Sequence, residues 1–335
     1  MKKYFCYELK KSWRLLLILV AVCAIPYYLY IANGDLFYEV EGNPNVEFFY
    51  GRNGISVIFT ILGALCTIVP MIMLSFKTDK RSVDAYYSLP IKREKIFLVK
   101  TLVGLLMVFA AYTVAFWLGF LNIVTREHYF RLSGYVVAYF ASLPIAVAIY
   151  GYVSFLFSQA NRTSDGVLFV LGHILCLFFV VGRLTSWISI AYDDGYESKW
   201  WQQFREGLIV YAPLNNLGMV VQNLLTGEDG LAKLSFATIL MPIVYGGLGW
   251  FFFFWFIKRQ KAEDAEQPSD SIFGYKVLIP AYTAMIASLN SVFFVGLAAV
   301  VAIVGFVVWK RKTTIPKSCW ISLAISLAVG MLIGV

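Results

Sequence analysis

The chain has 335 residues, of which 60% are hydrophobic and 14% charged. Soluble domains carry about 25% charge, so a soluble fold would leave too much apolar surface in water, and lipid is the expected solvent for much of this chain. The formal charge of +8 would suit nucleic acid or anionic lipid, and its placement along the chain decides between them.

The opening "MKKYFCYELKKSW" spaces Phe5, Leu9 and Trp13 at helical intervals with lysines between them. Residues 1–12 are therefore expected to lie on the inner leaflet as an interfacial amphipathic helix. A cleaved signal peptide fits poorly. The apolar run passes Cys23 to Pro26 without a small-residue cleavage site, and Val22 spoils a lipoprotein box. A bilayer core of about 30 Å needs roughly 20 apolar residues per helix. Spans are expected at 13–32, 54–76, 97–124, 134–158, 166–190 and 236–257.

Between the second and third spans lies the polar stretch "KTDKRSVDAYYSLPIKREK", residues 77–95. It combines six cations with Tyr86, Tyr87 and Leu89, which a merely solvated loop does not need. Val83, Tyr86 and Tyr87 share a helical face, so a short amphipathic helix is expected from about Asp79 to Tyr87. Ser88-Leu89-Pro90 should break it, and Pro90 suits the first turn of the next helix. Two readings stay open on physical grounds: a basic anchor on anionic lipid, or a surface that docks another protein.

Cation placement gives orientation. With the N-terminus in the cytoplasm, segments 1–12, 77–96, 159–165 and 258–276 lie inside and hold 15 Lys and Arg. Segments 33–53, 125–133 and 191–235 lie outside, with 6 Lys and Arg and 11 of the 20 acids. The basic excess thus reads as membrane topology, and nucleic acid is not an expected partner. The tail carries a further basic stretch, "KRKTTIPKS" at 310–318. If that is also inside, residues 277–309 cross twice as short or tilted helices, with a turn near Asn290-Ser291. One crossing is the alternative. A ninth span, 319–335, has no polar flank after it, an end that suggests a longer parent chain.

No catalytic constellation is visible. The two histidines, His128 and His173, have no partner spacing for a metal, and His173 reads as a helix-packing group. The five cysteines, Cys6, Cys23, Cys66, Cys176 and Cys319, form no CxxC pair and read as small hydrophobes. No Gly-Lys dipeptide exists, so no P-loop does either. Arg183 is a cation well within a span, able to reach the outer headgroups or face a cavity. The expected spans contain no Asp or Glu, which gives little support to ion coupling. "GGLGW" at 246–250 could let helices approach closely.

The segment "RSVDAYYSLPIKREKIFLVK" resembles the cytoplasmic loop of bacterial ABC exporter permeases of the type-2 class. Asp84, Ser88-Leu89-Pro90 and Arg93 match that class's recurring Asp, Ser-Leu-Pro and Arg. "YELKKSW" looks like its interfacial helix, and "YAPLNNLGMVVQNLL" at 211–225 is similar to the outer segment before its sixth span. In that outer segment Leu217, Val220, Val221, Leu224 and Leu225 make an apolar stripe. The resemblance covers about residues 1–257 and departs from the six-span plan after Lys258.

The expected fold is therefore all-α and polytopic. It has an interfacial helix 1–12, a six-span permease core 13–257, a cytoplasmic linker 258–276 and about three added spans in 277–335. The resemblance implies a non-catalytic permease subunit of an ATP-driven exporter in a bacterial cell membrane. Arg81, Asp84, Tyr86, Tyr87, Ser88, Leu89, Pro90 and Arg93 would dock a separate ATPase. ATP and Mg would bind on that partner, and this chain would carry no cofactor. A second permease, like or unlike, would complete the substrate path. The alternatives are a membrane sensor or assembly factor with a permease-like fold, and a secondary transporter. The substrate is not readable.

Overall fold

The structure is a computed structural model that describes residues 2–33, 37–39, 47–49, 52–125, 132–191, 214, 217, 236–260, 262–289, 291–312 and 314–334. Eleven helices account for nearly all of these residues. They are α1 (Lys2–Lys11), α2 (Trp13–Asn33), α3 (Arg52–Leu74), α4 (Lys80–Tyr87), α5 (Arg93–Val124) and α6 (Leu132–Ser158). After these come α7 (Thr163–Ala191), α8 (Phe236–Ile257), α9 (Tyr275–Ala287), α10 (Val292–Lys310) and α11 (Lys317–Gly334). Seven helical stretches are long and apolar enough to cross a bilayer: Trp13–Asn33, Val57–Thr78, Arg93–Val124, Tyr135–Ser158, Thr163–Val180, Leu240–Ile257 and Val292–Lys310. The first six correspond to the six spans expected from hydropathy. The chain is built as a multi-pass helical membrane protein. Among the described residues, strand occurs as a small antiparallel hairpin, β1 (Phe37–Glu39) with β2 (Glu47–Phe49), in register Phe37 to Phe49.

Lipid explains both the helices and their surfaces. In hydrocarbon every backbone N–H and C=O must be satisfied within the protein, which a helix does by itself. On α2, Tyr27 and Ile31 are buried while Leu17, Ile18, Val22 and Ile25 are exposed. On α10, Ala298, Ala302 and Phe306 are buried while Val300, Val304 and Val308 are exposed. Such apolar exposure would be a liability in water and is an ordinary lipid-facing surface in a membrane. Polar side chains inside helices turn back on their own backbone: the Thr67, Thr101 and Thr113 hydroxyls donate to the carbonyls of Gly63, Phe97 and Phe109.

The chain divides into two compact units. The first comprises residues 1–74, 90–155 and 210–258. Its centre is α5, against which α1, α2 and α3 pack. Asn122 donates to the Tyr28 carbonyl at 3.2 Å, and the Tyr112 and Ser142 hydroxyls meet at 2.8 Å. Two glycines of "GGLGW", Gly246 and Gly249, allow close approach. Gly246 of α8 lies against Ala148 of α6, and a Cβ on Gly249 would stand 2.8 Å from the Tyr152 backbone. The Trp250 indole then donates to the Val147 carbonyl at 3.1 Å.

A buried ion pair in this unit is absent from the hydropathy reading. Lys100, within α5, meets Glu8 of α1 at 3.3 Å, and their side chains are 7% and 2% exposed. Helix α1 is thus held by its acid. Of its expected apolar face, Phe5 is half-buried while Leu9 and Trp13 stay exposed.

The second unit comprises residues 75–89, 156–209 and 259–335. The Tyr275 hydroxyl of α9 donates to Asp165 of α7 at 2.8 Å, and the Tyr282 hydroxyl to the Gly172 carbonyl at 3.0 Å. Equal steps of seven residues on both helices mean that α9 runs parallel to α7. After α9 ends at Ala287, α10 returns along it from Val292. Trp309, near the end of α10, packs beside Tyr275 and donates its indole N–H to the Ser269 carbonyl at 3.0 Å. The segment 277–309 therefore doubles back with its two ends together, and of its two legs α10 is the one long and apolar enough to cross a bilayer. The leg α9 has 13 residues, about 20 Å of helix, against 19 residues in α10.

Candidate docking site

The first residues of the polar stretch are not a solvated loop. A 3-10 turn, Ser75–Thr78, follows α3, and Phe76, Lys77 and Thr78 are buried. The Lys77 ammonium donates to the Ser158 carbonyl, the last of α6, and the Gln260 amide donates to the same oxygen. A helix C-terminus carries unsatisfied carbonyls and negative dipole charge, so an ammonium there is well placed. The Thr78 and Thr163 hydroxyls meet at 2.7 Å.

Helix α4 follows, set off at both ends. Asp79 is its N-cap, with its carboxylate accepting from the Ser82 N–H at 3.0 Å and the Ser82 hydroxyl at 2.6 Å. Those hydrogen bonds hold the exposed Asp79 carboxyl below the ordinary carboxylate range. Ser88 closes the helix: its N–H donates to the Asp84 carbonyl at 3.0 Å and its hydroxyl to the Ala85 carbonyl at 2.9 Å. The expected helix from about Asp79 to Tyr87 and the expected break at Ser88 are both present.

The sequence-derived residues fall as follows. Val83 is the buried residue of α4, and Tyr86 sets its ring edge-on to Phe76 at 5.0 Å. Tyr86, Tyr87 and Leu89 are half-buried, while Arg81, Asp84 and Ser88 are exposed. Pro90 and Arg93 are also exposed, but they belong to the first compact unit. Pro90 corrects one expectation. It does not open the next helix, which begins at Arg93 with Lys92 as its cap. The residue before a proline is pushed toward extended backbone, and Ser88–Lys92 stays non-helical as a joint between α4 and α5.

The acidic linker is a structured strap. It holds a 3-10 turn at Ala262–Asp264, and Ala265 and Ser269 are buried. The Asn161 N–H donates to the Ser269 hydroxyl at 2.7 Å, and the Ser271 hydroxyl donates to the Gln159 side chain at 2.9 Å. Arg162 Nε donates to the Glu266 carbonyl at 2.7 Å, and the Glu266 N–H to the Asn161 carbonyl at 3.0 Å. The Glu266 carboxylate accepts from the Lys80 N–H at 3.3 Å and lies 3.8 Å from the Lys80 ammonium. At the far end of the strap, Asp270 pairs with Lys276 at 3.2 Å and Lys310 at 3.6 Å.

These contacts bring together pieces of 77–96, 159–165, 258–276 and the basic stretch after α10. The cation count places the first three on one side of the membrane, and they meet, with Lys310 at the end of α10, at one end of the second unit. Elsewhere, His173 donates to the Phe169 carbonyl of its own helix at 2.8 Å, as a packing residue would. Cys23, Cys66 and Cys319 are buried and Cys6 is exposed. His128, the Arg183 side chain and segment 192–235 lie outside the described residues, except for Leu214 and Leu217, both buried. No group of three or more His, Cys, Asp or Glu that could hold a metal occurs among the described residues. No family model, curated protein or solved structure matches the chain.

Proposed function

We propose that the chain is the permease subunit of an ATP-driven exporter, and that α4 with its flanking turns docks a separate ATPase. The observation that carries this reading is α4 itself. It is an eight-residue helix between two spans, capped at both ends and jointed from α5, with exposed charge beside half-buried tyrosines and Leu89. A lipid anchor needs only charge and an apolar face, not a fixed seat. A helix that transmits motion from a partner needs rigid ends, and both caps provide them. The finer architecture belongs to the same reading: a six-span core, about three further C-terminal spans, the N-terminus in the cytoplasm, and a second permease completing the path. ATP and Mg would sit on the partner.

The test is ATPase retained on the tagged chain after detergent extraction. Losing a central aromatic anchor costs about 2 kcal/mol or more, roughly thirtyfold in affinity. Tyr87→Ala and Leu89→Asp should each release the ATPase while the chain remains in the membrane. Lys80→Gln should change little, because an exposed charge at a rim contributes little. A lipid anchor gives the reverse order. Full retention by both Tyr87→Ala and Leu89→Asp would remove the docking role.

A further inference from the structure

Residue 266 has a backbone that few side chains adopt. Glu266 stands at φ 64, in the left-handed region, where a non-glycine residue is uncommon. Its own N–H and carbonyl are held on Asn161 and Arg162. That anchoring brings its carboxylate to the start of α4, 3.3 Å from the Lys80 N–H.

That start has a specific need. The first N–H groups of a helix have no acceptor within it. Asp79 serves the N–H of Ser82. Glu266 serves the N–H of Lys80, the first residue of α4, from 186 positions away. Both carboxylates sit where the helix dipole is positive. An eight-residue helix is marginal alone, so its end groups add materially to the order that Val83 packing gives it. The Lys80–Glu266 ion pair is a lesser contribution, since its side chains are 54% and 50% exposed.

We propose that Glu266 is a positioning residue that caps α4 in trans, making the strap and the tail helices part of the docking site. The proposal rests on the docking reading for its functional meaning, though not for its geometry. The tail reaches Glu266 through Ser269, whose carbonyl takes the Trp309 indole and whose hydroxyl takes the Asn161 N–H. A shift of α10 is therefore felt at α4, and ATPase affinity becomes sensitive to the tail.

The experiment is amide hydrogen exchange across residues 80–84 in the full chain in lipid nanodiscs, with exchange in α5 as the control for global folding. Glu266→Gly accepts the left-handed backbone and removes the carboxylate. Loss of a cap should speed exchange at 80–84 by about fivefold while α5 is unchanged. Glu266→Gln keeps an acceptor and should restore protection. Lys80→Gln removes the ammonium, keeps the N–H, and should leave protection near that of the parent. Unchanged exchange in Glu266→Gly overturns the proposal. So does Lys80→Gln matching Glu266→Gly, because the exposed ion pair would then be the agent. Faster exchange spread through α5 also overturns it, because Glu266 would then hold the whole fold. A chain that loosens at α4 as expected but never retains an ATPase would uphold the cap and sink the docking reading.

Discussion

Replacing Glu8 with alanine should be among the most damaging single changes at the N-terminus. Lys100 and Glu8 meet at 3.3 Å with side chains 7% and 2% exposed. At an effective dielectric near 20, that separation gives about 5 kcal/mol of attraction before desolvation. The Glu8 Oε1 atom has no hydrogen-bond partner among the described residues, so the pair is poorly compensated and its net gain is small. Removing one partner is another matter, because it strands the other charge and costs about 3–5 kcal/mol. Glu8→Ala should thus lower the melting temperature in detergent by on the order of 10 °C. The double variant Glu8→Ala with Lys100→Met, which leaves no stranded charge, should recover most of that loss. Thermal unfolding followed by size-exclusion chromatography reads both. A single variant that melts with the parent, or a double variant that melts as low as the single, would refute the reasoning.

Two further outcomes are expected. Asp79 has a folded-state carboxyl held below its ordinary value, so its contribution to α4 is present above the unfolded value and is lost as pH falls through the folded one. A spin label at Ala85 should become mobile over that acid range, and Asp79→Asn, which still caps but does not titrate there, should remove the transition. Single cysteines replacing Lys80, Lys312 and Gly195, in a chain lacking the native five, test the topology. The first two should label from one side of the membrane and the third from the other; labelling of all three from one side would sink the map.

Much of this architecture is legible along the chain because its causes are local. Apolar runs of about 20 residues mark the spans wherever backbone must satisfy itself in lipid. The helix at 80–87 follows from the Val83, Tyr86 and Tyr87 face, and its Asp79 cap emerges in the structure. The misses are pairings between distant residues. Lys100 opens a span and looks like one more flanking cation until α1 brings Glu8 to it. Residues 258–276 read as a cytoplasmic linker because their acids suit water. Their order comes from Asn161, Arg162 and Trp309, which periodicity does not connect to them. Pro90 sits in the joint rather than in the first turn of α5, because a proline that can open a helix can equally hold a joint.

Two donors share the last carbonyl of α6, and they arrive at different times. Synthesis runs from the N-terminus, at about 5–20 residues per second. Lys77 precedes Ser158 and can meet it as soon as α6 is made. Gln260 and Glu266 follow α4 by about 180 residues, so roughly 10–40 s pass before they emerge. During that interval the short helix has only its own Asp79 to begin it. Helix α4 therefore gains the second carboxylate at its start only after the strap has been made.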